Sequence, residues 1–300
     1  MKFFILFFTF FLSFQASLYS QVISTCSKIG ALISVDEESH KILFENNSQK
    51  LIYPASLVKL MTAYLTFESL QKNHLNLHQE ITFSVRAKEV SRINKINTLG
   101  INDGDKISVE KALQALIIKS YNEASIVLAE AIAGNEWNFV REMNKKAFEL
   151  GMINTSFRNA SGLHEEGQYT TASDLARLAI RLKKDFPQFY HFFSMKEFVY
   201  NNKTIKSHNA LLEEYEGAEG MKTGYTFASG YNLVSSAKNN NKRIFSVVTG
   251  CPTAKSRNEL SKFLLDLSFF EDKQNNNFYF KKISLKSSNQ IYDNLKYQTK

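Results

Sequence analysis

The sequence is poor in the residues that mark several specialised classes of protein. Its 300 residues include only two cysteines, three prolines, twelve glycines and one tryptophan. So few cysteines exclude a disulfide-rich scaffold, and so few prolines and glycines exclude a collagen-like or low-complexity chain. Apolar residues make up 44% of the chain and charged residues 22%, which are ordinary proportions for a globular protein. We therefore expect a folded protein with a large core.

The chain also lacks an apolar run long enough to span a membrane. A basic N-terminus is followed by a largely apolar segment from Phe3 to Phe14 and then by small and polar residues up to Ser20. A spanning helix needs about 20 apolar residues, whereas this arrangement is typical of a secretory signal peptide. The sequence therefore predicts a signal peptide over residues 1–20, cleaved near Ala16 or Ser20, and export across the inner membrane to the periplasm or cell envelope.

The charge balance is positive, with 37 lysines and arginines against 29 aspartates and glutamates and a formal net charge of +8. Such a balance suits nucleic acids, acidic cell-wall polymers or anionic membranes. The lysines are scattered, and no arginine-rich run or aromatic RNA-binding motif is present. Together with the predicted export, this pattern argues against a nucleic-acid partner and favours at most a weak peripheral contact with an anionic membrane or wall.

The two cysteines are Cys26 and Cys251. An exported protein can form a disulfide between them, but their positions in the sequence do not show whether they meet. Two unpaired thiols are an equal alternative. Cys26 lacks the small-residue lipobox of a lipoprotein, so we expect no lipid attachment there.

Strand patterns occur at both ends of the chain, and helical patterns lie between them. Apolar segments separated by polar turns predict strands at 31–35, 41–44, 197–200, 220–225, 231–236 and 243–248. Helical periodicity and caps predict helices at 56–71, 111–118, 123–132, 137–150, 171–183 and 258–270. The segment 73–97 is polar and mixed, so we expect it to be mostly loop with one short strand at 81–83.

This order predicts one α+β domain over residues 26–272. We expect an antiparallel sheet formed by the N- and C-terminal strands, flanked by helices and carrying an inserted, mainly helical lobe. Residues 273–300 are polar and basic, and we expect no full second domain there.

One short segment combines a serine and a lysine in a setting that supports nucleophilic chemistry. Pro54 suits the first turn of a helix, which places Ser56 where free backbone N–H groups and the positive end of the helix dipole point outward. Lys59 follows one turn later on the same side. A desolvated lysine can lose its charge and act as a base toward a hydroxyl. Ser-x-x-Lys alone is a weak signal, because it recurs at three other places in the chain.

Two further motifs follow in order. Ser120-Tyr121-Asn122 lies at a break between predicted helices, and Lys222-Thr223-Gly224 lies in a predicted strand. Ser-x-Asn also occurs elsewhere in the chain, whereas Lys-Thr-Gly occurs once. The three motifs in this order form the known signature of β-lactamases and penicillin-binding proteins.

The residues around the motifs narrow the resemblance. They include Pro-Ala-Ser-Leu-Val-Lys-Leu-Met-Thr-Ala-Tyr at 54–64, Asn-Glu-Ala-Ser at 122–125, Ala-Ser-Gly-Leu-His-Glu-Glu-Gly-Gln-Tyr at 160–169 and Gly-Met-Lys-Thr-Gly-Tyr-Thr at 220–226. Together they resemble the low-molecular-mass penicillin-binding proteins that are serine-type D-alanyl-D-alanine carboxypeptidases. The resemblance extends from about Ala31 to Glu271. It implies a DD-peptidase/β-lactamase-like fold.

The resemblance also implies an activity and its partners. The reaction would be hydrolysis of the terminal D-Ala-D-Ala bond of peptidoglycan stem pentapeptides through an acyl-serine intermediate. β-Lactam antibiotics would inhibit it, because they mimic the acyl-D-Ala-D-Ala end. No metal and no cofactor is expected.

Catalytic roles follow for five residues of this sequence. Ser56 would be the acylated nucleophile and Lys59 its proton acceptor, kept neutral by burial and by nearby Lys222. Ser120 would relay a proton to the leaving D-alanine, and Asn122 would hold the substrate backbone and orient the lysine. A plain helix cap is the alternative interpretation of the Ser-Tyr-Asn motif.

Four residues are expected to bind the substrate. Thr223, with the preceding lysine, would face the terminal carboxylate, and Gly224 would let the acyl chain lie close to the strand. The backbone N–H groups of Tyr225 and Ser56 would form an oxyanion hole. Arg257 is expected either to contact the carboxylate or to form a surface salt bridge.

The sequence departs from the family pattern at three points. Tyr121 replaces a small residue and would narrow the cleft, and Tyr225 stands where a histidine commonly follows Lys-Thr-Gly. Only about 30 residues follow Glu271, too few for the β-rich second domain and amphipathic anchor of many members.

Three alternative functions stay open from the residues. A D,D-endopeptidase would use the same catalytic residues on cross-linked peptidoglycan. A class A β-lactamase would need a glutamate to activate the deacylating water, and Glu165 and Glu166 lie in a loop of the right general region. A non-catalytic wall-binding protein is disfavoured by the intact motifs.

Overall fold

A computed structural model describes residues 30–93 and 97–273. Its main feature is a five-stranded sheet in which every neighbouring pair is antiparallel. The strands, in their order across the sheet, are β2 (Ile42–Asn46), β1 (Leu32–Asp36), β9 (Lys242–Cys251), β8 (Gly230–Asn239) and β7 (Ala218–Thr226). The first strand pairs with the last, as predicted, and β7 lies at an edge.

Two small sheets and eight helices complete the described part of the chain. The hairpins are β3 (Glu80–Thr82) with β4 (Lys106–Ser108) and β5 (Glu197–Tyr200) with β6 (Lys203–Lys206). The helices are α1 (Lys59–Gln71), α2 (Val85–Ile93), α3 (Val109–Gln114), α4 (Asn122–Ala133), α5 (Glu136–Glu149), α6 (Ala172–Asp185), α7 (Leu211–Glu214) and α8 (Ala254–Lys273). Three single turns are also present, namely the 3-10 helices Ala55–Val58 and Tyr190–Ser194 and the π-helix Ala115–Lys119. None of these helices is long and apolar enough to cross a membrane.

The sheet separates two hydrophobic layers because successive side chains of a strand point to opposite faces. On β9, Phe245 and Val247 belong to the large cluster shared with the helical lobe, whereas Ile244 and Val248 belong to two smaller clusters under α8. Helix α1 runs through the middle of the large cluster, and most of its side chains are buried. The beginning of this helix is therefore held rigidly against the sheet.

The predicted caps are confirmed where they are described. The side chain of Ser108 accepts a hydrogen bond from the backbone N–H of Lys111 (3.2 Å), and Thr171 does the same for Asp174 (3.0 Å). These bonds satisfy N–H groups that a helix start leaves free.

The prediction of a mostly loop segment at 73–97 is wrong for its second half. Residues Val85–Ile93 form helix α2, which buries Ala87 and Val90 and exposes its charged side chains. The polar composition of the segment hid the helix, because Val90 is its only buried large apolar residue, and Val85 and Ile93 are exposed.

The domain prediction falls partly outside the described residues. The predicted signal peptide, Cys26 and most of the tail at 273–300 lie there. Cys251 is buried and disulfide-bonded, so the alternative of an unpaired thiol is wrong for this residue. The α+β arrangement predicted for the catalytic domain matches the observed sheet and helices.

Candidate active site

The serine of the first motif lies in a tight turn between two glycine contacts. Ala55 has a positive φ of 49°, and Ser56 follows it in the 3-10 turn that leads into α1. A Cβ atom on Gly162 would lie 1.9 Å from the carbonyl oxygen of Ala55, and one on Gly224 would lie 3.2 Å from the backbone nitrogen of Ser56. Both glycines therefore let neighbouring backbone approach the serine closely. Gly224 was predicted to make room for substrate, but its nearest atoms belong to this turn.

Lys59 is the first residue of α1, and its amine donates three hydrogen bonds within the site. Its Nζ donates to Ser56 Oγ (3.1 Å), to Asn122 Oδ1 (2.8 Å) and to the backbone carbonyl of Ser161 (2.5 Å). The side chain is only 1% exposed. Three acceptors around one amine fix its position beside the serine hydroxyl.

Burial lowers the pKa of Lys59 from its usual value to about 7, and the negative charge of Glu123 opposes this shift. A lysine amine with a pKa near 7 is neutral in a large fraction of molecules at physiological pH. Its lone pair is then available to accept the proton of the Ser56 hydroxyl, which lies at hydrogen-bonding distance.

The second motif occupies a distorted break between helices. The π-helix Ala115–Lys119 ends at Ser120, which has the left-handed conformation with a φ of 65°. A non-glycine residue in this region is strained, and such strain is concentrated at functional sites. The hydroxyl of Ser120 is buried and has no hydrogen-bond partner among the described residues. Helix α4 has no side-chain cap, so the plain-cap interpretation of the motif is wrong.

Two more buried basic side chains, Lys222 and Arg257, interact electrostatically in this region. Lys222 is 1% exposed and its Nζ donates to the carbonyl of Thr223 (2.9 Å). Burial and the charges of Lys59 and Arg257 hold the pKa of Lys222 well below its usual value. Arg257 is 5% exposed, and burial lowers its pKa to about 10.

The surface salt bridge considered for Arg257 is absent from the described part of the chain. Its guanidinium donates instead to the side-chain oxygen of Asn258 (2.7 and 3.1 Å). Lys222 and Arg257 form no salt bridge in the described part of the chain, and the charges of Lys59 and Arg257 both disfavour the protonated form of Lys222. We call the region around the Lys222 and Arg257 side chains the basic cluster. Such a cluster favours the binding of a small anion.

The edge strand β7 forms one wall of the site. Lys222 and Gly224 point toward the serine turn, so Thr223 and Tyr225 point to the opposite face. Tyr225 is 52% exposed, and its ring stacks on Tyr231 of β8 with a centroid distance of 4.3 Å. The outer edge of β7 has no neighbouring strand in the sheet, so its backbone can pair with an extended peptide.

The family described as D-alanyl-D-alanine carboxypeptidase, peptidase S11, matches residues 22–253. The chain belongs to this family. D-alanyl-D-alanine carboxypeptidase DacF of Bacillus subtilis (strain 168) is 36% identical over 242 residues, which are 79% of this chain and 61% of that relative. The chain thus spans less than two thirds of that relative's length.

Solved structures of the family share the fold. Penicillin binding protein 5 from Haemophilus influenzae superposes with a TM-score of 0.77 at 35% identity, covering 81% of this chain and 71% of that chain. Penicillin-Binding Protein D2 from Listeria monocytogenes, in its ampicillin-bound form, gives 0.70 at 29% identity and covers 80% and 97%. These similarities confirm the predicted fold class and the predicted relationship to penicillin-binding proteins.

Sequence reasoning missed two groups around Lys59. The backbone carbonyl of Ser161 accepts a hydrogen bond from the amine of Lys59, and the neighbouring carbonyl of Ala160 accepts one from the hydroxyl of Thr62 (2.7 Å). The segment that contains Ala160 and Ser161 therefore lies along the start of α1. Glu123 is fully buried, and its Oε1 accepts from Thr98 Oγ1 (2.7 Å) and from the backbone of Leu99 (2.6 Å). A signal for the carboxylate was present, because it directly follows the Ser-x-Asn motif.

The glutamates considered for a β-lactamase point elsewhere. Glu165 and Glu166 are both exposed, and Glu165 accepts a hydrogen bond from the side chain of Asn159 (3.2 Å). The group of this loop that contacts the amine of Lys59 is the backbone carbonyl of Ser161, which accepts a hydrogen bond from it. This arrangement gives no support to either glutamate as the activator of a deacylating water.

Proposed function

We propose that the protein is a serine-type D-alanyl-D-alanine carboxypeptidase that binds penicillins. The observation that carries the proposal is the direct contact of Lys59 with Ser56 and Asn122 in a buried position, where the pKa of the amine is about 7. The family and the relatives' names support the reaction. The chain's own geometry supports the roles of its residues.

In the first step, Lys59 Nζ accepts the proton of Ser56 Oγ as the oxygen attacks the carbonyl carbon of the penultimate D-alanine. The carbonyl oxygen gains negative charge and is stabilised by the backbone N–H groups of Ser56 and Tyr225, an effect typically worth about 3–4 kcal/mol. The close packing of Gly224 on the serine turn supports this pairing of donors.

In the second step the C–N bond breaks and the terminal D-alanine leaves as an amine. The proton it needs comes from Lys59 through the hydroxyl of Ser120, whose buried oxygen has no other partner among the described residues. A water molecule then hydrolyses the acyl-Ser56 ester, with Lys59 again accepting a proton. A β-lactam forms the same ester but keeps its leaving group attached.

The basic cluster of Lys222 and Arg257 is the proposed site of the terminal carboxylate. Both side chains are buried and form no salt bridge with a described residue, so a bound carboxylate would favour their protonated forms and be held by their charge. A free C-terminus is therefore preferred over a blocked one, which is the selectivity of a carboxypeptidase.

We propose the stem pentapeptide of peptidoglycan as the substrate and the periplasm or cell envelope as the location. The predicted signal peptide and the substrate's place in the wall support this assignment. The net charge of +8 suits an acidic wall.

The test compares the wild type with Ser56→Ala and with Ser69→Ala, a serine on α1 that also begins a Ser-x-x-Lys pattern. Each is incubated with a fluorescent penicillin and, separately, with a pentapeptide muropeptide. We expect labelling and D-alanine release from the wild type and Ser69→Ala, and neither from Ser56→Ala. Turnover by Ser56→Ala would exclude the serine mechanism. Cleavage of cross-linked dimers without D-alanine release would indicate an endopeptidase, and rapid penicillin turnover a β-lactamase.

A further inference from the structure

The turn that follows the Lys-Thr-Gly strand presents an exposed aromatic ring. Phe227 lies at the tip between β7 and β8 and is 97% exposed. Single exposed apolar residues are common on protein surfaces, so exposure alone does not mark a site. Its neighbour Tyr225 is 52% exposed and stacks on Tyr231. The segment from Tyr225 to Tyr231 contains no charged residue.

The turn is held in one conformation by its own side chains. Ser229 Oγ accepts from the backbone of Thr226 (3.0 Å) and lies 2.9 Å from its hydroxyl, while the backbone of Ser229 donates to Thr226 Oγ1 (3.1 Å). Asn232 donates to Ser229 Oγ (3.0 Å) and accepts from the backbone of Gly250 (2.9 Å), which ties the turn to β9. Phe227 is therefore exposed on a preorganised support, which lowers the entropic cost of using it as a contact.

The direction in which a substrate binds determines which of its residues lies beside the Phe227 ring. The cations that would hold the terminal carboxylate lie at the Thr223 end of the strand, and Gly224 abuts the nucleophile. A peptide paired along the free edge of β7 therefore runs with its acyl side toward Phe227. Two residues of strand beyond Tyr225 correspond to about 7 Å, which is the reach of the residue that precedes the two D-alanines.

We propose that Phe227 forms an acyl-side subsite that packs against the aliphatic part of the third residue of the stem peptide. The inference rests on the proposed function, since it takes the position of the substrate from it. The absence of charge in the turn indicates that the contact is made by methylene groups and not by the polar end of that side chain.

The test uses two tripeptide substrates, acetyl-norleucyl-D-Ala-D-Ala and acetyl-glycyl-D-Ala-D-Ala, which differ only in a four-carbon side chain. The variants are Phe227→Ser and the control Phe148→Ser, which alters another exposed phenylalanine (78%) on α5. We expect the norleucyl-to-glycyl ratio of kcat/KM to fall about fivefold to tenfold in Phe227→Ser and to stay unchanged in Phe148→Ser. An unchanged ratio in both variants would overturn the subsite.

A second pair of probes separates this inference from the carboxypeptidase activity. Two penicillins, one with a long alkyl side chain and one with an acetamido group, are compared by their acylation rate constants. If the wild type is acylated but releases no D-alanine, the proposed function fails, and the effect of Phe227→Ser on the acylation ratio still decides the subsite. Loss of binding to anionic phospholipid vesicles with both ratios unchanged would assign the ring to a membrane and overturn the proposal.

Discussion

The charged side chains near the two ends of helix α1 differ in whether they form salt bridges within the protein. At its start, Lys59 shares a buried site with Lys222 and Arg257, and the pKa of each of the three is lowered, mainly by burial. Near its other end, Glu68 pairs with Lys146 (2.9 Å), which also pairs with Glu149 (2.7 Å). Burial alone would lower the pKa of Lys146, but its hydrogen bonds to Glu149 and Glu68 outweigh it and raise the pKa.

The difference shows which charges serve the fold and which serve chemistry. A cation paired within the protein keeps its proton, and its partners are satisfied without any ligand. A buried basic group without such partners either loses its proton, as the lowered pKa values of Lys59 and Lys222 indicate, or is compensated by a bound anion. Each of the two sets of charged side chains has one member on α1, namely Lys59 and Glu68, and its other members come from other elements.

The largest expected effect comes from removing the base. Lys59→Met replaces a buried amine by an apolar side chain of similar length, and we expect acylation by penicillin to fall at least about 10³-fold. Between pH 7 and 10.5 the unfolded lysine binds a proton that the folded one has lost, so the wild type gains stability as the pH rises.

Lys59→Met should reduce this gain, because only the lowered pKa values of Lys222 and Arg257 among the three buried basic groups then contribute with the same sign. Urea unfolding at pH 7 and pH 9.5 measures the effect, with the acylation rate determined on the same samples. An equally steep rise in the variant would contradict the assignment of the slope to Lys59.

The next effect concerns the arginine without an acidic partner. Arg257→Gln should raise KM for a pentapeptide about 10- to 100-fold, because a charge-assisted contact with the substrate carboxylate is lost. The matched control is Arg243→Gln, since Arg243 pairs with Glu219 and Glu37. We expect the control to lose stability at an unchanged KM, and equal KM values for the two variants would refute the distinction.

A smaller effect is expected from the carboxylate that opposes the lowered pKa of the base. Glu123→Gln removes a negative charge that raises the pKa of Lys59, so the acidic limb of the kcat/KM profile should move to lower pH. The hydrogen bonds from Thr98 and Leu99 can be kept by the amide oxygen. Glu130→Gln serves as the control, because it lies two turns further along α4. A shift to higher pH, or the same shift in the control, would contradict this role.

The sequence was sufficient for the parts of the site that are local in the chain. Ser56 and Lys59 lie one helical turn apart, and the Ser-x-Asn and Lys-Thr-Gly motifs carry their own spacing. The carbonyl of Ser161 was not predictable, because any residue has a carbonyl and only the folded loop brings this one to the amine. The left-handed backbone conformation of Ser120 was not predictable either, since it depends on the π-helical turn before it.

The elements of the fold, like the parts of the site, were predictable where their signal is local in the sequence. Strand alternation and helix caps predicted most elements, including the pairing of the first strand with the last. Helix α2 was missed because its buried face is small, and the short strand Lys203–Lys206 because its residues are mostly exposed. Elements that bury little apolar surface have weak patterns, so their conformation is decided by neighbours that are distant in sequence.

The smallest effect on activity is expected at the paired end of α1. Lys146→Met should leave acylation within twofold of the wild type, because the amine lies at the opposite end of the helix from Ser56. It should lower the unfolding free energy by about 1–2 kcal/mol, since Glu68 and Glu149 lose a partner that is only 16% exposed. Its exposed neighbour offers the control, and Lys145→Met should change stability by less than about 0.5 kcal/mol. Urea unfolding and penicillin labelling are measured on both variants. A loss of acylation in Lys146→Met at retained stability would contradict this prediction. It would mean that the two ends of the helix are coupled, and that a charge paired within the protein is not necessarily a purely structural one.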